Sequence, residues 1–274
     1  MSCDAYADLW KPFFTLLHRH WPDCPFQVYL GTGQLGCDDP SVTVLRSDGG
    51  RDWSRCALDY LEPLPHAHVL IMLDDFFLRR AVSTADVLHC LKFAQSTGST
   101  QVRLIPRPPP TDRLAGESAI GESVAGSPYR LATQAAIWNR AALCALLRPG
   151  ESIWDFEHQG NVRALAQSHG FYSVWRPVLP YQGWFAHHVV EKGKWLPHER
   201  WIFARQNIGC DFSKRATLSL GQALFYQIVL ILDRSLDVMS WQNKARMKTG
   251  LKRILRPFMH KQFSRMGGTT PPSS

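Results

Sequence analysis

Residues 68–78 read His68-Val-Leu-Ile-Met-Leu73-Asp74-Asp75-Phe-Phe-Leu78, an apolar run of strand length that ends on two adjacent carboxylates. The run predicts a β-strand over His68–Leu73. In an open α/β sheet, ligands bind outside the carboxyl ends of the strands, which puts Asp74 and Asp75 at the expected site. Adjacent carboxylates repel and resist burial unless positive charge offsets them, and a divalent cation with a diphosphate does this well. The blander alternative has one Asp capping the next helix and the other solvated.

The flanking sequence predicts the frame around this strand. Phe26–Leu30, Ser41–Leu45 and Gln101–Ile105 are further short β-rich runs, and Asp8–His20, Asp52–Tyr60 and Ser83–Gln95 carry helical spacing. Strands alternating with helices predict an α/β fold with a mostly parallel sheet. Pro106–Pro128, with three consecutive prolines, reads as a lid or exposed loop. Tyr129–Trp138 reads as a strand, Asn139 as the cap of a helix over Arg140–Leu147, and Ser152 as the start of a helix to Gly170. Val174–Val190 is rich in Trp, Tyr, Pro and His and reads as strands and turns covering a site. Trp195–Arg205 and Leu218–Met239 read as helices. The expected organisation is a catalytic domain over 1–205, a helical basic region over 206–265 and a disordered tail over 266–274.

Composition narrows the classes. With 274 residues, 45% hydrophobic and 20% charged, the chain is globular and long enough for a sizeable core. Its net charge of +8 is confined to the end: from Trp241 onward there are eight Lys or Arg and no Asp or Glu, so residues 1–240 are formally neutral. A nucleic-acid-binding module needs basic charge among its aromatics, and here the two are separated, so no nucleic-acid partner is expected. Seven scattered cysteines without a Cys-x-x-Cys pair argue against a disulfide framework or a zinc site, and for a reducing compartment. No signal-peptide pattern stands at the start, and the longest apolar stretch, Ala216–Leu232, contains two Gln, a Gly and a Ser and falls short of a span. A cytoplasmic location is expected.

Two further stretches carry candidate chemistry. Gly150-Glu-Ser152-Ile-Trp-Asp155-Phe-Glu157 sets two carboxylates between aromatics near a helix start, a setting for a general base. Asp155 three residues after Ser152 completes a capping box, which leaves Glu157 as the first choice of base. Tyr181-Gln-Gly-Trp184-Phe-Ala-His187-His188 offers imidazoles that can complete a cation's coordination and an aromatic platform for a sugar face. Lys194 can neutralise a phosphate. No P-loop, nucleophile-elbow or zincin motif is present. Gly31-Thr-Gly33-Gln-Leu-Gly36 matches a dinucleotide fingerprint, but Pro40 denies the helix that would hold the pyrophosphate.

Taken in order, Asp8-Leu-Trp-Lys-Pro-Phe-Phe-Thr-Leu, Trp21-Pro-Asp-Cys-Pro, Leu73-Asp-Asp-Phe-Phe-Leu78, Tyr129-Arg-Leu-Ala-Thr-Gln-Ala-Ala-Ile-Trp138 and Gly150–Glu157 resemble glycosyltransferases of the GT-A fold found with bacterial surface-polysaccharide genes (capsule, O-antigen or exopolysaccharide). The likeness covers roughly residues 2–200. It implies a Rossmann-like GT-A fold, a nucleotide-sugar donor, a divalent metal (Mn2+ or Mg2+) and a saccharide or lipid-linked saccharide acceptor. By this resemblance Asp74 and Asp75 stand for the metal and diphosphate carboxylates, and His187 or His188 for the late metal ligand. Glu157 or Asp155 stands for the base. Residues 2–6 stand where the group's strand into the nucleotide pocket ends, which makes Asp4 and Tyr6 expected nucleobase or ribose contacts. Trp184 and Tyr181 are the expected acceptor contacts.

The basic stretch 241–265 interleaves Lys and Arg with Met247, Leu251, Ile254, Leu255, Phe258, Met259 and Phe263. Such a segment can lie on an anionic membrane surface, which suits a lipid-linked acceptor and peripheral attachment at the inner face of the cytoplasmic membrane. The rival readings are a nucleic-acid-binding module using the basic tail, a metal-dependent phosphate-ester hydrolase and a catalytically silent glycosyltransferase-like scaffold.

Overall fold

The computed structural model describes residues 1–127, 129–166, 170–181, 188–191 and 193–236, the last stretch from 229 by backbone alone. A 3₁₀ segment, Asp4–Leu9, runs into helix α1, Trp10–His20, which buries Trp10, Phe14 and Leu17. Next come strands β1, Val28–Thr32, and β2, Val42–Arg46, then α2, Trp53–Leu61, whose Asp52 cap accepts from the Arg55 N–H. Strand β3, His68–Ile71, leads through the Asp74–Asp75 turn to α3, Thr84–Thr97, capped by Ser83 and ended by Gly98 at φ 64°. Strand β4 is Gln101–Arg103.

The segment expected to be a lid is instead a hairpin of β5, Asp112–Leu114, and β6, Glu117–Glu122, hydrogen-bonded into the sheet. Its entry is set by Ile120, which is fully buried, and by Gly121, where a Cβ would stand 2.6 Å from the Asp112 carbonyl oxygen. The strand expected over Tyr129–Trp138 forms only as β7, Ala136–Asn139. The residues before it are held by side chains, with Asn161 bonding Leu131 and Glu157 bonding Thr133. Helix α4, Arg140–Leu146, takes its expected Asn139 cap. Helix α5, Ile153–Ala164, takes the capping box of Ser152 and Asp155 and stops short of Gly170. Strand β8, Phe171–Val174, precedes a short hairpin of β9, Val190–Glu191, and β10, Lys194–Trp195, followed by α6, Pro197–Gln206.

The broad α/β class holds, with a mixed sheet. Its six strands run in the order β3-β7-β4-β8-β6-β5, and β1-β2 form a separate parallel pair. Within the six only β4 and β8 pair in parallel. Strands β3, β4 and β8 all point one way, as the strand–helix alternation predicts. Antiparallel β7 and β6, from sequence without that alternation, lie among them.

The core lies on both faces of the sheet. Val28, Leu30 and Leu70 pack with Phe14 and Leu17 of α1 and Val87 of α3, whereas Tyr29, Val69 and Ile71 pack with Leu61 of α2, Leu143 of α4 and Phe156 of α5. Alternate residues of one strand therefore enter opposite cores, the pattern of a sheet covered by helices on both faces. A third cluster gathers Leu9, Phe77, Trp195, Phe203 and Ile208.

The chain divides into two units, 1–216 and 217–274. The first runs past the expected boundary at 205, because Ile208 is buried and Phe212 packs against Trp195 and Phe203. In the second, α7, Leu220–Leu236, exposes Leu220, Leu224 and Ile228 at helical spacing. The basic stretch 241–265 and the tail lie outside the described residues. Among the described residues no helix is long and apolar enough to cross a membrane.

Candidate functional site

Asp74 and Asp75 occupy a turn beyond the carboxyl end of β3, closed by the Phe76 N–H on the Leu73 carbonyl oxygen at 3.2 Å. The next three residues fix this turn. Phe76, Phe77 and Leu78 are buried, Phe76 stacked on Tyr181 and Phe77 on Phe203. The aromatic pair that follows the carboxylates is thus an anchor in two cores.

Both carboxylates keep some solvent contact while protein atoms crowd them. Desolvation, with the charge of Asp75 adding to it, pushes Asp74 up to about 7, and desolvation pushes Asp75 up to about 6. The Ser2 hydroxyl donates to Asp74 Oδ2 and itself accepts from the Trp10 indole N–H at 2.6 Å. Opposite Asp75 lies the start of the β9–β10 hairpin, with the Val189 N–H on the Asp75 carbonyl oxygen at 3.2 Å. His188 stands there, its Nε2 2.9 Å from Glu191 Oε2. Desolvation works against a charged imidazole, but Glu191 and Asp75 outweigh it and raise the His188 pKa.

Arg215 supplies the fixed positive charge. It donates to both oxygens of Asp8 at 2.8 and 3.1 Å and to the carbonyl oxygens of Ala5 and Gly193, and it lies 4.4 Å above the Tyr6 ring. Its charge acts on Asp74, Asp75 and Tyr6. Nothing local in Ser213-Lys214-Arg215 marks it; only tertiary folding brings it to the carboxylates. Ser2, Asp8 and Glu191 likewise carry no local mark of a site in the sequence.

The other expected residues fall into two places. Asp4 and Tyr6 lie on the 3₁₀ segment beside this recess. Asp4 binds the Gly31–Leu35 loop: its carboxylate accepts from Thr32 Oγ1 at 2.6 Å and from the N–H groups of Gly33, Gln34 and Leu35. These bonds, Thr32's first, hold its carboxyl below the usual range. Packing accounts for two glycines of the Gly31–Gly36 pattern, since a Cβ at Gly31 would sit 2.5 Å from the Tyr60 ring and one at Gly33 2.9 Å from Asp4, whereas Gly36 has open space around it. Lys194 pairs across the hairpin with Glu191.

Glu157 lies on α5, where its Oε1 accepts from both the N–H and the hydroxyl of Thr133 at 2.7 Å. Asp155 is exposed and its Oδ2 serves the capping box. Tyr181 is buried, its hydroxyl donating to Gln134 Oε1 at 2.8 Å and accepting from the Ala135 N–H. It therefore joins the Thr133–Ala135 segment to Phe76. Trp184 and His187 lie outside the described residues.

Among the described residues no three His, Cys, Asp or Glu are grouped to hold a metal ion alone. The two crowded carboxylates still fit a Mg2+-type ion, which takes one or two carboxylates and completes its shell with water and substrate phosphates. Such an ion would add positive charge beside Asp74 and Asp75 to that of Arg215 and His188. Comparison with protein-family models, with curated proteins and with solved structures gives no match.

Proposed function

We propose that this chain is a nucleotide-sugar-dependent glycosyltransferase with a Rossmann-like, GT-A-type nucleotide half, acting in the cytoplasm on a saccharide acceptor of surface-polysaccharide type. The observation that carries this reading is the Asp74–Asp75 turn: two desolvated carboxylates at the end of β3, facing Arg215 and His188. A recess with both signs of charge suits a cation–diphosphate group better than either charge alone. Asp74 and Asp75 would hold a divalent ion, which stabilises the departing diphosphate when bound. In this reading Lys194 and Arg215, the latter also paired with Asp8, would lie beside the phosphates, and Tyr6 would contact the nucleoside.

Glu157 is the base in this reading and Asp155 is not, since the capping box uses Asp155. The two Thr133 bonds orient the Glu157 carboxylate on one oxygen, and among the described residues Oε2 makes no hydrogen bond. The acceptor oxygen attacks the anomeric carbon, the bond from that carbon to the diphosphate oxygen breaks, and the acceptor proton passes to Glu157. The product has inverted configuration. A lipid-linked acceptor would be met at an anionic membrane surface by the basic stretch 241–265 together with the Leu220–Leu224–Ile228 stripe of α7.

Donor hydrolysis tests the reading without knowledge of the acceptor. Incubation with a panel of nucleotide sugars and Mn2+ should release one nucleoside diphosphate slowly, and the Asp74→Asn/Asp75→Asn protein should release none. Release of inorganic phosphate instead would identify a phosphate-ester hydrolase. No release from any donor would leave a silent scaffold.

A further inference from the structure

β1 and β3 face each other across an open slot. β2 pairs with one edge of β1 and β7 with one edge of β3. The opposite edges meet residues 1 and 2 at their carboxyl ends: the Ser2 N–H donates to the Gly31 carbonyl oxygen at 3.0 Å, and the Met1 amino group to the Met72 carbonyl oxygen at 2.7 Å. Successive nitrogens bonding to opposite sides is the habit of a β-strand. Met1 and Ser2 therefore form the last rungs of a strand lying between β1 and β3. Because Gly31 and Met72 both lie at carboxyl ends, β1 and β3 point the same way.

Beyond those rungs the slot remains open, with a volume of about 450 Å³, lined by Val28–Gly31 on one side and His68–Met72 on the other. Phe14, Leu17 and Leu91 cover one face, and Tyr60, Leu61 and Leu64 the other. Those edges consist of backbone N–H and C=O groups, which need partners in an apolar surround. The His68 Nε2 is buried there without a hydrogen-bond partner among the described residues.

We propose that this slot is a strand-acceptor site, which takes one more β-strand, parallel to β1 and β3, matching the five residues of β1, and joined to the nitrogen of Met1. The inserted strand is uncharged and β-branched throughout, because apolar side chains wait on both faces and a strand buried on both faces reads as a continuous apolar run. Covalent attachment at Met1 is favoured over a separate peptide for two reasons. Met1 and Ser2 already hold the register on both sides, and an amide N–H would make the bond to Met72 without placing an ammonium in the slot. Burial opposes that ammonium and lowers its pKa. A strand in place would join the β1–β2 pair to the six-stranded sheet. The proposal stands on the slot alone and does not depend on the catalytic reading.

The test compares the full chain with two extended versions, one carrying Val-Thr-Val-Ile-Val ahead of Met1 and one a Lys/Glu-alternating run of the same length. The apolar extension should raise the melting temperature by on the order of 5 °C and slow amide exchange in residues 28–31 and 68–71 by about tenfold or more. The charged extension should do neither. Unchanged melting and exchange with the apolar run, or equal effects from the charged run, would overturn the proposal.

Discussion

Phe76 and Tyr181 stack with ring centroids 4.5 Å apart and planes 11° from parallel. This contact ties the turn that carries Asp74 and Asp75 to the segment that orients Glu157, since the Tyr181 hydroxyl bonds Gln134 and Ala135 while the neighbouring Thr133 bonds Glu157. Two carboxylate sites from distant stretches of sequence are thereby set on one rigid support. Tyr181→Phe keeps the stack and leaves two polar partners unmatched, so urea denaturation should show a loss of about 1–2 kcal/mol. Phe76→Ala removes the stack and opens a cavity, with an expected loss of about 3–4 kcal/mol.

Glu157→Gln should fold with stability within about 1 kcal/mol of the parent, because the amide oxygen can still accept from Thr133. Its transferase turnover should fall below detection while nucleotide binding persists. Glu157→Ala leaves the Thr133 N–H and hydroxyl without that acceptor and should lose about 1–3 kcal/mol of stability as well. Near-normal turnover in the Gln protein would remove Glu157 as the base.

Arg215 and Asp8 are 9% and 6% exposed, and their two-point contact is a desolvated ion pair. Arg215→Met leaves the Asp8 charge uncompensated, with an expected cost of about 3 kcal/mol or more. A double-mutant cycle with Asp8→Asn should show the paired change costing less than the sum of the single ones. Additive costs would mean that the pair does little for the fold.

Glu199, 1% exposed, lies 2.5 Å from Arg79 and 3.2 Å from His198. Burial alone would lift its carboxyl, but His198 and Arg79 pull it below the usual range. A depressed carboxylate stabilises the fold above its unfolded value, near pH 4.3, and loses that contribution as the pH falls through the folded value. Glu199→Gln should therefore cost about 3 kcal/mol at pH 7, and the gap to the parent should narrow below about pH 4 in melting curves taken across pH.

Local chemistry was legible in the sequence. Asn139 and the Ser152–Asp155 box cap the helices that the spacing predicts, and β3 starts at His68 as its apolar run predicts but ends at Ile71, short of the expected Leu73. The β5–β6 hairpin was not legible, because Gly, Ser and Pro dominate a stretch whose order comes from the buried Ile120 and Gly121 and from pairing with β8. The antiparallel insertion of β7 was hidden for a related reason: short strands carry no sign of their neighbours. At the candidate site, Asp74, Asp75, His188 and Glu157 could be picked from local pattern, whereas Arg215 reaches the carboxylates only through tertiary packing. Asp4 reads as a ligand contact in sequence, yet its carboxylate accepts from the Thr32 hydroxyl and three backbone N–H groups of one loop.

The most direct measurement of the central claim is thermal stability against the diphosphates of uridine, guanosine and thymidine and against cytidine monophosphate, each with and without Mn2+. The account predicts that one nucleotide stabilises the fold only with the metal, by roughly 2.7 kcal/mol at about 100 times its dissociation constant. That shift should vanish in the Asp74→Asn/Asp75→Asn protein. A shift that survives in that protein, or none with any nucleotide, would contradict a cation–diphosphate site at Asp74 and Asp75.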